Sequence, residues 1–206
     1  MVDNRSEITN GLYMTVDQYL ALDEATDGKY EFIDGYVTML RPPSSAYDDH
    51  ANIDIAGVSL AHAAICVRIG SLIDRALEED DSCMVYSSDV RTKLAERQYF
   101  YPDISVVCDK QTGTMLTNPV VVIEVLSSAT EKRDRDAKFK AYQALPSVQE
   151  YVLVGSEYKA IEVHRREGSF LRNFLRQYHY REGDIVEIKS LGVGIPFDEV
   201  YRRILE

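Results

Sequence analysis

Glu124 lies inside the run Val120-Val121-Val122-Ile123-Glu124-Val125-Leu126, whose apolar, β-branched composition predicts a strand covered on both faces. A carboxylate there costs several kcal/mol in desolvation unless a basic partner, a proton or a metal ion compensates it. Asp103 follows Tyr101-Pro102, and the proline favours an extended entry into a strand Ile104-Ser105-Val106-Val107-Cys108. Two neighbouring strands would set Asp103 and Glu124 side by side. Adjacent carboxylates repel unless a cation lies between them, and an oxygen-only site suits Mg2+ or Mn2+. The competing readings are a structural salt bridge for Glu124 and a turn or cap role for Asp103.

The segment after Glu124 reads as a helix from about Thr130 to Ala144, stopping before Pro146. Arg135, Lys138 and Tyr142 fall on roughly one face of it. A lysine reaching a metal-bound phosphate could orient water and offset developing charge. An exposed helix with ordinary charge pairs is the plainer reading. Asp89 and Lys93, four apart in a strand-like stretch, read as a pair on a sheet surface. His50, His62, His164 and His179 lack metal-type spacing and read as satisfied or exposed histidines. Tyr99-Phe100-Tyr101 could stack on bases or fill a core equally well. Ser127-Ser128 has no G-x-S-x-G context, and no phosphate-binding glycine motif occurs, which excludes those classes of hydrolase and nucleotide binder.

These residues need elements to position them. Thr15-Val16-Asp17-Gln18 reads as a capping box opening a short helix with Val16, Tyr19 and Leu20 on one face. Lys29 to Leu40 reads as a hairpin about an Asp34-Gly35 turn. Pro42-Pro43-Ser44-Ser45 breaks the chain, and a helix over about Asp48 to Glu79 follows, with Leu60, Ala64 and Val67 on its apolar stripe. Gly57 and Gly70 are its weak points. Further strands are expected over 83–87, 89–94, 104–108, 120–126, 149–154, 160–166, 171–180 and 184–188, with a short helix from Phe197. No repeat or linker is visible. The expectation is an α/β fold over residues 1–206 as one domain, with a mixed β-sheet.

The chain has 206 residues and a hydrophobic share of 45%, enough for a full core. No signal peptide is evident and the longest apolar run is too short to span a bilayer, so a soluble, cytoplasmic protein without a membrane partner is expected. The three cysteines, Cys66, Cys83 and Cys108, sit in apolar surroundings and read as buried thiols rather than a disulfide framework or zinc cluster. The net charge of -11 opposes nucleic-acid binding. Its distribution weakens that objection: residues 1–90 carry 17 acidic and 5 basic side chains, whereas residues 91–206 carry 17 and 18.

The order Tyr30-Glu31-Phe32-Ile33-Asp34-Gly35, Ser88-Asp89-Val90-Arg91, Pro102-Asp103, Val122-Ile123-Glu124-Val125-Leu126-Ser127, Asp134-Arg135 with Lys138 and Tyr142, then Leu145-Pro146-Ser147-Val148-Gln149-Glu150-Tyr151, resembles the Uma-type restriction-endonuclease-like proteins. This is a bacterial branch of the PD-(D/E)XK nuclease superfamily. The resemblance runs from about Met14 to Arg166, with a strand-rich C-terminal extension beyond it. It implies a restriction-endonuclease-like fold, a central mixed sheet flanked by helices, and Mg2+- or Mn2+-dependent hydrolysis of nucleic-acid phosphodiesters, with DNA as the expected substrate. By position, Asp103 and Glu124 match the metal-binding acids, Glu31 the early acid that completes the site, and Lys138 the lysine. A homodimer is expected from the family, since cutting two strands suits a two-fold pair. One departure stands out. The superfamily's usual lysine lies two residues after the second acid, where this chain has Leu126, so Lys138 serves only if its helix folds back over the strand end. The alternative is a catalytically inactive nuclease-fold protein acting as a binding or regulatory module.

Overall fold

The structure is a computed structural model that describes residues 12–41, 43, 59–77, 82–128, 130–167 and 175–205. β1 (Leu12–Tyr13) leads into α1 (Val16–Ala25). Thr15 caps that helix through the expected box: its side chain accepts from the Gln18 amide and its own amide donates to Gln18. The hairpin β2 (Lys29–Ile33) and β3 (Tyr36–Arg41) follows. Its two-residue turn has positive φ at both Asp34 (51°) and Gly35 (104°), the backbone that matches the twist of paired strands.

α2 (Leu60–Ala76) comes next, capped by Ser59. The first part of the helix expected from Asp48, with Gly57 and His50, lies outside the described residues. The expected stripe is corrected: Leu60 and Val67 are 90% and 75% exposed, and the buried face is Ile65, Ile69 and Ile73. Three β-branched side chains spaced by four bury more apolar surface than the smaller set centred on Ala64.

β4 (Met84–Ser87), β5 (Arg91–Ala95), β6 (Gln98–Phe100), β7 (Ile104–Val107), β8 (Met115–Leu116) and β9 (Val121–Leu126) follow. A continuous helical segment comes after them. It is built from α3 (Glu131–Arg133), a π turn over Asp134–Lys138, and α4 (Phe139–Ala144). β10 (Glu150–Gly155), β11 (Ile161–Arg166), β12 (Leu175–Tyr180), β13 (Ile185–Ile188), β14 (Val193–Pro196) and α5 (Phe197–Tyr201) complete the chain.

The central sheet has the order β12-β11-β10-β9-β7-β4 and is mixed: β9 and β10 run parallel, the other pairs antiparallel. Every residue of β9 is buried, as its composition predicts. Side chains alternate across it. Val121, Ile123 and Val125 join the core under α2, while Val122 and Leu126 join Phe100, Tyr142 and Tyr151 under α4. Helices therefore flank the sheet on both faces, the α/β architecture expected. A second six-stranded sheet, β1-β3-β2-β6-β5-β8, was not foreseen. It buries Tyr30, Phe32, Val37 and Tyr99 against Tyr19 of α1. Tyr99 and Phe100 are thus core residues rather than base-stacking ones.

Cys83 and Cys108 form a disulfide, which corrects the reading of three free thiols. The β4–β7 register pairs Met84 with Val107, so the next residues outward face each other. Only the fold creates that proximity, across a separation of 25 in sequence. No helix among the described residues is long and apolar enough to cross a membrane.

Candidate metal centre

The alternation in β9 decides where Glu124 points. It shares the face of Val122 and Leu126, towards the helical segment of residues 131–144. There Lys138 Nζ lies 2.9 Å from Glu124 Oε1, and the Tyr142 hydroxyl donates to the same oxygen at 3.2 Å. Lys138 also lies 3.2 Å from Glu31 Oε1 and 3.4 Å from Asp134 Oδ1. The helix does fold back over the strand end. Leu126, at the usual lysine position, instead packs with Phe100 and Tyr142.

The π turn explains which helical residues meet the site. Asp134, Lys138 and Tyr142 are spaced by four and all are buried. The wider turn carries Arg135 away, so its expected place on the face of Lys138 is corrected. Its guanidinium binds Glu131 at 2.8 Å and Glu162 at 2.6 Å. Local π turns of this kind recur at functional sites because they re-aim side chains.

Glu31 comes from β2 of the second sheet and is 1% exposed. Arg133 reaches its Oε2 at 2.8 Å, and the Tyr101 amide donates to its Oε1 at 3.2 Å. That amide also ties Glu31 to the Pro102-Asp103 corner. Asp103 stands just before β7. The β7–β9 ladder pairs Ile104 with Ile123, so one step further sets Asp103 opposite Glu124. Asp103 Oδ2 accepts the Val125 amide at 2.8 Å and lies 3.3 Å from His62 Nε2 of α2.

The electrostatics show too little positive charge. Burial drives the Glu124 carboxyl well above the ordinary carboxylate range; Lys138 lowers it, but Asp134, Asp103 and Glu31 raise it further. Burial also opposes the charge on Lys138, yet Glu124, Glu31 and Asp134 together outweigh it and hold the ammonium protonated. The Tyr142 hydroxyl is pushed far up by burial and by Glu124, so it stays a donor. Among the described residues, Asp134 Oδ1 is buried without a hydrogen-bond partner, its 3.4 Å approach to Lys138 being an ion pair alone. Among the described residues, Lys138 contacts Glu31, Glu124 and Asp134, and Arg133 contacts Glu31, while Asp103 pairs with His62. The group thus sets four carboxyls against two permanent cations, with Glu124 held back from ionising by burial. Its donors are all carboxylate oxygens, the set that hard ions such as Mg2+ and Mn2+ take.

Of the four residues expected from sequence, Lys138 contacts both Glu31 and Glu124, and Asp103 is joined to them through the β7–β9 register and the Val125 amide. Asp134, Arg133, Tyr142 and His62 were not selected. The spacing of Asp134, Lys138 and Tyr142 was a usable signal; Arg133 and His62 left none, because their partners lie on remote elements. Asp89 pairs with Lys29 at 2.5 Å and Lys93 with Glu96 at 3.1 Å, so the expected Asp89–Lys93 pair does not form.

Comparison with known proteins agrees with this architecture. The uncharacterized protein slr1290 of Synechocystis sp. is 30% identical over 195 residues, covering 92% of either chain. A second Synechocystis protein, sll1609, is 29% identical over 161 residues, covering 75% of this chain and 82% of its own. A crystal structure titled as a "putative nuclease belonging to DUF820" from Anabaena variabilis superposes with a TM-score of 0.68 at 17% identity. The match covers 93% of this chain and 99% of that one, and shows a shared fold. The model of the Uma2 family, described as "Putative restriction endonuclease", matches residues 16–196, past the Arg166 limit of the sequence resemblance and through β14. With that span matched, the chain belongs to the Uma2 family.

Proposed function

We propose that the protein is a metal-dependent nuclease that hydrolyses phosphodiester bonds, with DNA as its substrate. The observation that carries this reading is the cluster of buried Glu31, Glu124 and Asp134 around Lys138, with the partly exposed Asp103 opposite Glu124 in the β7–β9 register. Family membership and the fold of the Anabaena protein support it. Asp103, Glu124 and Glu31 would hold Mg2+ or Mn2+, with Asp134 as a further oxygen donor. A divalent ion there supplies a Lewis acid for the phosphate and lowers the pKa of water.

The chain's own residues do the rest. Lys138 contributes a protonated donor for a non-bridging phosphate oxygen or for the attacking water. Tyr142 holds Glu124 in place through its hydroxyl. Arg133 offsets charge at Glu31 Oε2, and Lys138 and the Tyr101 amide hold its Oε1 towards the site. Single-domain organisation and a homodimer that cuts both strands are part of the same proposal.

A second reading has one observation in its favour. Lys138 already forms a buried ion pair with Glu124 at 2.9 Å, which satisfies that acid within the chain. This suits a nuclease-fold protein that binds or regulates without cutting. Incubation of supercoiled plasmid, single-stranded DNA and RNA with Mg2+ or Mn2+ separates the two. The nuclease reading predicts DNA cleavage that requires metal and disappears in Asp103→Ala. Cleavage that survives in Asp103→Ala contradicts the site, and intact substrates throughout favour the binding module.

A further inference from the structure

His62 and Cys66 stand on successive turns of α2 and both face the start of β7. His62 Nε2 is 3.3 Å from Asp103 Oδ2, and His62 Nδ1 is 3.5 Å from Cys66 Sγ. One ligand atom from each of the three residues can be chosen so that all lie within 4.8 Å of one another. In a tetrahedral zinc site, bonds of about 2.0–2.3 Å place neighbouring ligand atoms roughly 3.3–3.6 Å apart. Closing the three onto an ion therefore takes a shift of about 1 Å, within reach of a histidine ring and a thiol.

The donor set differs in kind from the carboxylate group beside Glu124. Nitrogen, sulfur and one carboxylate oxygen favour thiophilic ions, whereas Mg2+ prefers oxygen alone. Cys66 is the free cysteine, since Cys83 and Cys108 are joined. The three residues line a cavity of about 580 Å³ between α2 and β4, whose wall also includes Gly70, Val85 and Tyr86. Three protein ligands beside an open cavity leave a fourth position for water or a small ligand, the arrangement of zinc sites that are not purely structural.

We propose that His62, Cys66 and Asp103 form a second metal site, for a thiophilic divalent ion of the zinc class, which takes Asp103 away from the carboxylate group when it is filled. Binding itself does not depend on nuclease activity. Inhibition of Mg2+-dependent cleavage by Zn2+ is a consequence that rests on the proposed function.

Cobalt(II) tests the site, because a thiolate ligand gives it a charge-transfer band in the near ultraviolet. The full chain is titrated with Co2+ with its disulfide intact and no reductant present. The expected result is a band that Zn2+ abolishes, that Cys66→Ser lacks, and that Glu124→Gln retains. His62→Asn should weaken binding at least about tenfold, since even losing a group that only orients a ligand costs that much. No band in the wild type, or a band that persists in Cys66→Ser, overturns the proposal. If Cys66→Ser does not fold, alkylation of wild-type Cys66 by iodoacetamide gives the answer instead. Saturating Zn2+ should slow it, because the thiolate that alkylation needs is then held by the metal. An unchanged rate overturns the site whether or not the protein cuts DNA.

Discussion

Replacing Lys138 by methionine keeps the aliphatic stem and removes the ammonium from among Glu124, Glu31 and Asp134, at 2.9, 3.2 and 3.4 Å. At an effective dielectric of about 20, one unit pair at 4 Å is worth about 4 kcal/mol before desolvation is charged against it. Removing one member of a buried ion pair costs about 3–5 kcal/mol, and that is the loss expected here without metal. The loss should depend on pH. Glu124 already sits above its ordinary value of 4.5. Without Lys138 it rises further, so the folded variant keeps a proton that the unfolded chain releases. A carboxyl raised in the folded state costs stability as pH climbs from the unfolded value through the folded one. Urea unfolding in EDTA should therefore show a larger loss at pH 8 than at pH 5. The double variant Lys138→Met/Glu124→Gln should recover part of it, with a coupling of about 1–3 kcal/mol. A loss below about 1 kcal/mol at pH 8, or strict additivity in the double variant, would refute the electrostatic reasoning.

Three other outcomes are expected. Tyr142→Phe removes a donor to Glu124 and should lower stability by about 1.5–3 kcal/mol in denaturant titration, the range for a bond to a charged group; no change would mean the hydroxyl is idle. Glu162 is held below its ordinary 4.5 by His164, 3.7 Å away, and by the Arg135 guanidinium, so its stabilisation is complete above that value and is lost as pH falls beneath it. Thermal melts of Glu162→Gln should thus be flatter than wild type on the acid side, and parallel curves would count against the pair. Reduction of Cys83–Cys108, which lie 25 residues apart, should cost about 3.5 kcal/mol by loop entropy, read from unfolding with and without dithiothreitol.

Local chemistry made much of the fold legible. The Thr15–Gln18 box, the Asp34-Gly35 turn and the unbroken apolar run of β9 each act within a few residues, so their signals survive in sequence alone. The burial of Glu124 and the strand entry at Asp103 follow from the same local rules. Contacts between remote elements were not legible. The second sheet assembles β2, β6 and β5 through pairings that no periodicity announces. His62 meets Asp103 only because α2 packs on the sheet, and Arg133 meets Glu31 only because the second sheet covers the helix. The Cys83–Cys108 bond depends on the β4–β7 register. Arg135 was misplaced because helical spacing alone does not reveal a π turn.

Binding of Mn2+ tests the central claim most directly, since it needs no substrate. Loss of the free-ion electron paramagnetic resonance signal counts the ions bound to wild type, Asp103→Ala and Glu124→Gln, with Zn2+ absent. The account predicts a saturable site in the wild type that both variants lose. Equal Mn2+ uptake by all three proteins, or none by the wild type, would contradict it.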